Sequence, residues 1–203
     1  MFIGPNSLIV EGASDLLFLQ RVSLILERKG RTCLNPKWVI TPVGGASKVP
    51  TFVALIGAQK NMNLVTLIDI QKKDKQSIEN LYKKKLLKKN HVITFVDFTN
   101  TDEADIEDMF ERSFLLKIIN LEYKSVLDKD IEEAELEPGV PRINICLEKY
   151  FAKNPMKESI KYSHYRIARY FTENVDELSN SISGKTLDRF EEAFSRINTL
   201  FKK

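Results

Sequence analysis

Four short apolar runs separate segments of helical periodicity in the N-terminal half of the chain. The runs occupy residues 8–10, 38–41, 64–69 and 92–96, and the helical segments occupy about 15–29, 48–60 and 74–89. The runs are too apolar to alternate, which is typical of strands buried on both faces of a parallel sheet. We therefore predict an α/β fold with a four-stranded, mostly parallel sheet, right-handed crossovers and helices on both faces.

The C-terminal part of the chain shows a helical pattern of apolar residues and no further strand. A fourth helix is predicted from about Ala104, and an acidic stretch over residues 128–137 follows it, closed by the breaker Pro138-Gly139-Val140-Pro141. The remaining apolar patterns, over residues 144–151, 158–172 and 186–201, are helical, with no further strand. We predict a sheet domain over residues 1–125 and a helical extension over residues 126–203.

Two of the predicted strands end in a carboxylate. Glu11 follows the first run, and Asp69 ends the third. Parallel strands place their carboxyl ends at one edge of the sheet, where open α/β folds bind ligands, so these side chains should lie near each other. Gly12 allows a tight turn into the next helix, whose first turn contains Asp15. Hard divalent cations such as Mg²⁺ prefer oxygen ligands of this kind.

A third acidic segment follows the fourth run. It contains Asp105, Glu107 and Asp108, and all three fall in the first turn of the fourth predicted helix, where the helix dipole also favours acids for purely structural reasons. Helix positions three apart share a face, so Asp105 and Asp108 are the pair predicted to join the site, with Glu107 as the alternative.

These segments together resemble a known family. The run Val10-Glu11-Gly12-Ala13-Ser14-Asp15, followed later by Asp69-Ile70-Gln71, is similar to the Toprim domain of topoisomerases, primases and certain nucleases. With Gly44-Gly45 and Asp105-Ile106-Glu107-Asp108 added, the pattern is most similar to the overcoming-lysogenisation-defect (OLD) family of nucleases, over about the first 115 residues. The predicted sheet is accordingly Toprim-like.

The resemblance implies an activity and a set of ligands. It implies a DNA endonuclease that depends on Mg²⁺ or Mn²⁺, as one ion or two, with a role in phage defence. Members of the family carry an ATPase domain before the Toprim part, so an ATPase domain or chain is the implied partner and this chain is interpreted as the nuclease half. The positions that map onto the family's metal ligands are Glu11, which is also assigned a catalytic role, Asp15, Asp69, Gln71, Asp105 and Asp108.

One of those positions departs from the family pattern. Gln71 stands where the family has a second aspartate, which removes a negative charge and predicts weaker metal binding. Asp74 compensates only if its loop bends back toward Asp69.

The family also uses a lysine from its helical part, close to the scissile phosphate. Lys161 is the candidate here, and Lys157 and Arg166 compete with it because the match is loose. His164 is interpreted either as a general acid or, as is more common for a lone histidine on an aromatic helix, as a packing residue.

Cationic groups that would meet a DNA backbone are predicted in two places. The turn Gly44-Gly45-Ala46-Ser47-Lys48 follows the second strand, where backbone N–H groups and Lys48 could hold a phosphate. A lysine-rich block at the end of the third helix includes Lys84, Lys85 and Lys88, which either track a DNA backbone or form a solvated helix face.

Composition argues against a membrane or disulfide-rich protein. Hydrophobic residues make up 43% and charged residues 29% of the chain, and the apolar runs are far shorter than a membrane span requires. The N-terminus lacks the pattern of a signal peptide. Cys33 and Cys146 show neither disulfide-framework nor metal-binding spacing, so we predict a cytoplasmic protein with no membrane partner.

Two other functions stay open at this point. A metal-poor Toprim module could bind nucleic acid or a partner protein without cleavage, and Gln71 is the main support for it. Toprim chemistry also serves topoisomerases and primases, but the sequence shows neither a recognisable tyrosine-bearing cleavage domain nor a zinc-binding motif. The sequence also leaves open whether the chain forms a homo-oligomer.

Overall fold

One parallel sheet organises the protein. The structure is a computed structural model that describes residues 4–57, 61–69 and 75–201, apart from the side chains at positions 75, 77 and 78. The strands are β1 (Asn6–Val10), β2 (Val39–Pro42), β3 (Asn63–Ile68) and β4 (Val92–Thr94). They lie in the order β2-β1-β3-β4, and every neighbouring pair is parallel. The predicted α/β fold is confirmed, with the sheet wholly parallel.

Helices cover both faces of this sheet. Those of the described residues are α1 (Ala13–Arg28), α2 (Val49–Gly57), α3 (Lys75–Lys83), α4 (Arg112–Glu122), α5 (Ile143–Lys153), α6 (His164–Glu173), α7 (Val175–Leu178) and α8 (Gly184–Thr199). Helices α2 and α3 pack on one face, and α1 packs on the other, where α6 and α8 pack against it. Among the described helices, none is long and apolar enough to cross a membrane.

The strands are apolar on both sides because each side faces a core. In β1, Leu8 and Val10 belong to the larger core on the α1 side, whereas Ile9 belongs to the smaller core under α2 and α3. All three side chains are fully buried. This explains why the sequence shows continuous apolar runs rather than alternation.

The C-terminal helices share the larger core with the sheet. The ring of Phe18 on α1 lies 5.1 Å from that of Phe110 and 5.7 Å from that of Phe171 on α6. On the surface, Arg31 forms ion pairs with Asp188 at 2.6 Å and with Glu191 at 2.5 Å on α8. The division into a sheet domain ending at residue 125 and a helical extension stays a prediction, and this continuous packing favours a single folding unit.

Truncating Phe171 tests that unit. Phe171→Ala removes a fully buried ring from the contact between α1 and α6, so we expect the free energy of unfolding to fall by about 3–5 kcal/mol. Denaturant unfolding followed by circular dichroism should remain a single transition. Leu121→Ala, at a side chain that is 40% exposed on α4, is the matched control and should change stability little. A separate early transition in Phe171→Ala would show that the two parts fold independently.

Candidate active site

The turn from β1 into α1 brings two carboxylates together. Gly12 is the residue that caps α1, and its φ of −136° is extended rather than left-handed. The backbone N–H of Gly12 donates to Asp15 Oδ2 at 2.9 Å, which turns the Asp15 side chain back toward the end of the strand. Asp15 is only 4% exposed. Glu11 is thereby next to a buried aspartate at the carboxyl edge of the sheet.

A glycine pair after β2 holds the backbone of Glu11. The N–H groups of Gly44 and Gly45 both donate to the Glu11 carbonyl oxygen at 2.8 Å, and their φ angles of +83° and +123° suit glycine alone. These two N–H groups are therefore used within the protein and do not hold a phosphate. A Cβ at Gly44 would lie 3.3 Å from Lys48 Nζ, so the turn also keeps the Lys48 amine close to the strand end.

Asp69 follows β3 at the same edge. Its Oδ1 atom is buried and accepts no hydrogen bond from the residues that the structure describes. Burial raises the pKa of Asp69 well above its ordinary value, and the charges of Asp15 and Glu11 raise it further. The three carboxylates are therefore close enough for their charges to interact, and their use as a shared site stays a prediction.

The third acidic segment folds differently from the predicted helix. A short 3-10 helix over Ile106–Met109 is capped by Asp105, and the chain is extended at Phe110 before α4 begins. Asp108 Oδ2 accepts from the Asp105 backbone N–H at 2.8 Å, and its Oδ1 accepts from the Ile143 N–H at 2.9 Å. Asp108 therefore ties the start of α5 to this segment, and burial raises its pKa to about 7.

Glu107 takes the place that the sequence assigned to Asp108. It is 3% exposed, and its charge raises the pKa of both Asp15 and Asp69. Its Oε1 lies 3.2 Å from His164 Nδ1 at the start of α6. We therefore define the carboxylate cluster as Glu11, Asp15, Asp69 and Glu107. Glu107, kept in the sequence analysis only as an alternative, belongs to it.

Burial and mutual repulsion dominate the electrostatics of the carboxylate cluster. Burial raises the pKa of Asp15 to about 8, with the Gly12 hydrogen bond acting against this and the charges of Glu107 and Glu11 adding to it. The pKa of His164 is also raised: burial lowers it, but the hydrogen bond and charge of Glu107 more than offset this. The cluster thus attracts cations and protons, which is the expected behaviour of carboxylates gathered in a partly dry site.

Asp105 lies beside the cluster and is already neutralised. Arg142, the residue that caps α5, forms a two-pronged ion pair with it, with Arg142 Nε 2.8 Å from Asp105 Oδ1 and 2.9 Å from Oδ2. Asn144 Nδ2 donates to Asp105 Oδ2 at 3.1 Å, and Tyr162 donates to Asn144 Oδ1 at 2.8 Å. The predicted pairing of Asp105 with Asp108 at the site is therefore replaced by a pairing of Asp105 with Arg142.

The carboxylate cluster has the ligand chemistry of a hard divalent cation. It offers carboxylate oxygens only, and Asp69 contributes a buried oxygen atom with no described partner. As the side chains stand in the described residues, no three His, Cys, Asp or Glu groups converge closely enough to hold an ion. The donor set fits Mg²⁺ or Mn²⁺, and binding would require side-chain rotation. Gln71 and Asp74 lie outside the described residues.

Three cations near the helical part compete for the role of the catalytic lysine. Lys157 forms an exposed ion pair with Asp128 at 2.9 Å, whereas Arg166 forms a partly buried ion pair with Glu122 at 2.7 Å. Lys161 is exposed and forms no ion pair with a described residue. It directly precedes Tyr162, so it lies on the segment that contacts the Asp105 network.

The lysine block lies at the other end of the sheet. Lys84, Lys85 and Lys88 are exposed and come between the end of α3 and the start of β4, which places them at the amino ends of the strands. The nearby His91 Nδ1 lies 2.8 Å from the carbonyl oxygen of Leu64 at the start of β3. Contact of these lysines with DNA stays a prediction, and it would occur away from the carboxylate cluster.

A polar cavity of about 680 Å³ adjoins the carboxylate cluster. Glu107 is one of its lining residues, and Asp108, Arg112, Lys185 and Arg189 also line it. Because carboxylates and cations share its wall, the cavity is not by itself a surface for a polyanion.

Sequence reasoning missed the polar side chains that support the site. Arg142, Asn144 and Tyr162 come from the helical part and have no spacing relation to the strand-end motifs. The breaker before α5 and the polar start of that helix were the only sequence signals nearby. Comparisons of the chain with protein-family models, with curated proteins and with solved structures each find no match.

Proposed function

We propose that this chain is a divalent-metal-dependent DNA endonuclease whose site is the carboxylate cluster. The observation that carries the proposal is the gathering of carboxylates from the ends of β1 and β3 and from the segment after β4, where burial and the charges of Glu11 and Glu107 raise the pKa of both Asp15 and Asp69. A protein keeps such repulsion where a cation relieves it, and structural ion pairs would not gather like charges in this way. The resemblance to the Toprim domain of OLD nucleases supports the same reading.

Different side chains of the site would have different roles in phosphodiester cleavage. Glu11 and Asp69 would hold Mg²⁺ or Mn²⁺, with Asp15 and Glu107 completing the set. When bound, such an ion neutralises charge on the scissile phosphate and lowers the pKa of a bound water. Lys161, which precedes Tyr162 in the helical part, would contact the phosphate.

His164 is positioned to handle a proton. Its side chain is 40% exposed, and Glu107 keeps it protonated to a higher pH than an ordinary histidine. A protonated imidazole can donate a proton to the leaving oxygen of a phosphodiester. The interpretation of His164 as a packing residue alone is less consistent with its ion pair to a cluster carboxylate.

Nicking of supercoiled plasmid tests the proposal. We expect conversion to the open circle in the presence of Mg²⁺ or Mn²⁺ and its loss on chelation. Lys161→Met should lower the rate by roughly a hundredfold, because the lysine's positive charge no longer stabilises the negative charge of the phosphate in the transition state. Lys157→Met removes a neighbouring exposed lysine that is paired with Asp128 and should leave the rate unchanged. Equal rates in both variants would remove Lys161 from the mechanism.

A second candidate function is a binding module that does not cut. The ion pair between Arg142 and Asp105 favours it, because this pair withdraws one acid from metal binding. DNA binding with no nicking under any divalent ion would select this function. An ATPase partner, a role in phage defence and a cytoplasmic location rest on the resemblance and the composition and remain part of the proposal.

A further inference from the structure

Arg142 and Asn144 together contact both oxygens of the Asp105 carboxylate. In addition to the two contacts of Nε, the Arg142 Nη2 atom lies 2.6 Å from Asp105 Oδ1. Asn144 Nδ2 reaches Oδ2 at 3.1 Å. A carboxylate that already accepts this many hydrogen bonds on both oxygens has little capacity left for a metal ion.

The ion pair between Arg142 and Asp105 is buried, and a hydrogen-bond network supports it. Asp105 is 1% exposed, and the side chain of Arg142 is 11% exposed. Asn144 is itself fixed by the hydroxyl of Tyr162, a side chain packed against the ring of Phe151 at 5.6 Å between centroids. Releasing Asp105 to a metal would leave a buried guanidinium without its partner, which is strongly unfavourable.

The guanidinium also borders the carboxylate cluster. Burial lowers the pKa of Arg142, but the hydrogen bond and charge of Asp105, with smaller contributions from the charges of Asp69 and Asp108, raise it above its ordinary value. The Arg142 guanidinium, which is paired with Asp105, is therefore also within electrostatic range of Asp69. Because the guanidinium already holds both oxygens of Asp105, a second divalent ion shared by Asp69 and Asp105 would have to displace it.

We propose that the Arg142 guanidinium replaces one of two metal ions, so that the site takes a single divalent cation on the carboxylate cluster. Asp105 then serves as a positioning residue for Arg142 rather than as a metal ligand. The inference rests on the proposed function and specifies how many ions that site uses. In a site of this kind, the positive charge that a second metal ion would bring to the phosphodiester comes from the Arg142 side chain.

Counting bound Mn²⁺ tests the inference without any cleavage assay. Titration of the metal-free full chain, by calorimetry and by electron paramagnetic resonance of free Mn²⁺, should give one ion for the wild type and for Arg142→Lys, which keeps the charge. Arg142→Gln should bind two ions, because it uncovers Asp105. The double variant Arg142→Gln with Asp105→Asn should return to one ion.

The possible outcomes separate the inference from the proposed function. Two ions in the wild type, or one ion in a folded Arg142→Gln protein, would overturn the inference and leave the nuclease proposal intact. No ion in the wild type would instead remove the metal site itself. If Arg142→Gln fails to fold, Asp105→Asn alone decides the question: its Mn²⁺ affinity should stay within about threefold of the wild type, and a tenfold loss would identify Asp105 as a ligand.

Discussion

Asp69→Asn is expected to abolish metal-dependent nicking of plasmid DNA, with a loss on the order of a thousandfold or more. Asparagine keeps the shape of the side chain but removes the negative charge at the end of β3. Asp69 Oδ1 is buried without a described partner, which is why we propose that it binds the cation. Initial rates at saturating Mn²⁺ would measure the effect.

The same change should stabilise the metal-free protein. Asp69 carries its charge among like charges in a partly dry site, and its raised pKa records the cost of doing so. We therefore expect a higher midpoint of thermal unfolding for Asp69→Asn in chelator at pH 8. Asp102→Asn, at an exposed acid after β4, is the control and should alter neither nicking nor stability. Unimpaired nicking by Asp69→Asn would show that any nuclease activity belongs to another site.

The second large effect is the pH dependence of stability without metal. Asp15 has a pKa of about 8 in the folded protein against an ordinary value of 3.8. Between these values the folded protein holds a proton that the unfolded chain has lost, so stability must fall as pH rises from about 4 to 8. One such group contributes a slope of up to about 1.4 kcal/mol per pH unit. Asp108, with a pKa of about 7, adds to the slope below that value.

Denaturant unfolding in chelator across this pH range would measure the slope. Asp15→Asn keeps the acceptor for the Gly12 N–H but not the ionisable group, so its profile should be flatter and its stability at pH 8 higher. Adding Mg²⁺ at a hundred times its dissociation constant should raise the wild-type free energy of unfolding by about 2.7 kcal/mol. A wild-type profile that is flat or rises toward pH 8 would contradict the arrangement described for Asp15.

The strands and their terminal carboxylates were accessible from sequence because local rules determine them. A run such as Leu8 to Val10 is buried on both faces, and a strand of that kind belongs to a parallel sheet. Parallel strands then bring Glu11 and Asp69 to one edge whatever the helices between them do. The resemblance to OLD nucleases used the same residues and stays a prediction about function.

The prediction of an α-helix over the third acidic segment was wrong, because the sequence does not distinguish an α-helix from a short 3-10 helix there. An α-helix from Ala104 would have placed Asp105 and Asp108 on one face. The 3-10 helix and the extended Phe110 instead direct Asp108 toward the start of α5 and leave Glu107 with the carboxylate cluster. The choice depends on the docking of α5, since Ile143 donates the hydrogen bond that holds Asp108.

The sequence by itself determined the parallel sheet, the edge at which its strands end and two of the acids at that edge, because apolar periodicity and strand direction are local properties. The tertiary structure alone decided which side chains from the C-terminal part contact the acidic residues near that edge. Arg142 reaches Asp105 across 37 positions of the chain, and His164 reaches Glu107 across 57. Contacts of that range follow from the packing of α5 on the 3-10 helix after β4 and of α6 on α1, and no spacing in the sequence encodes them.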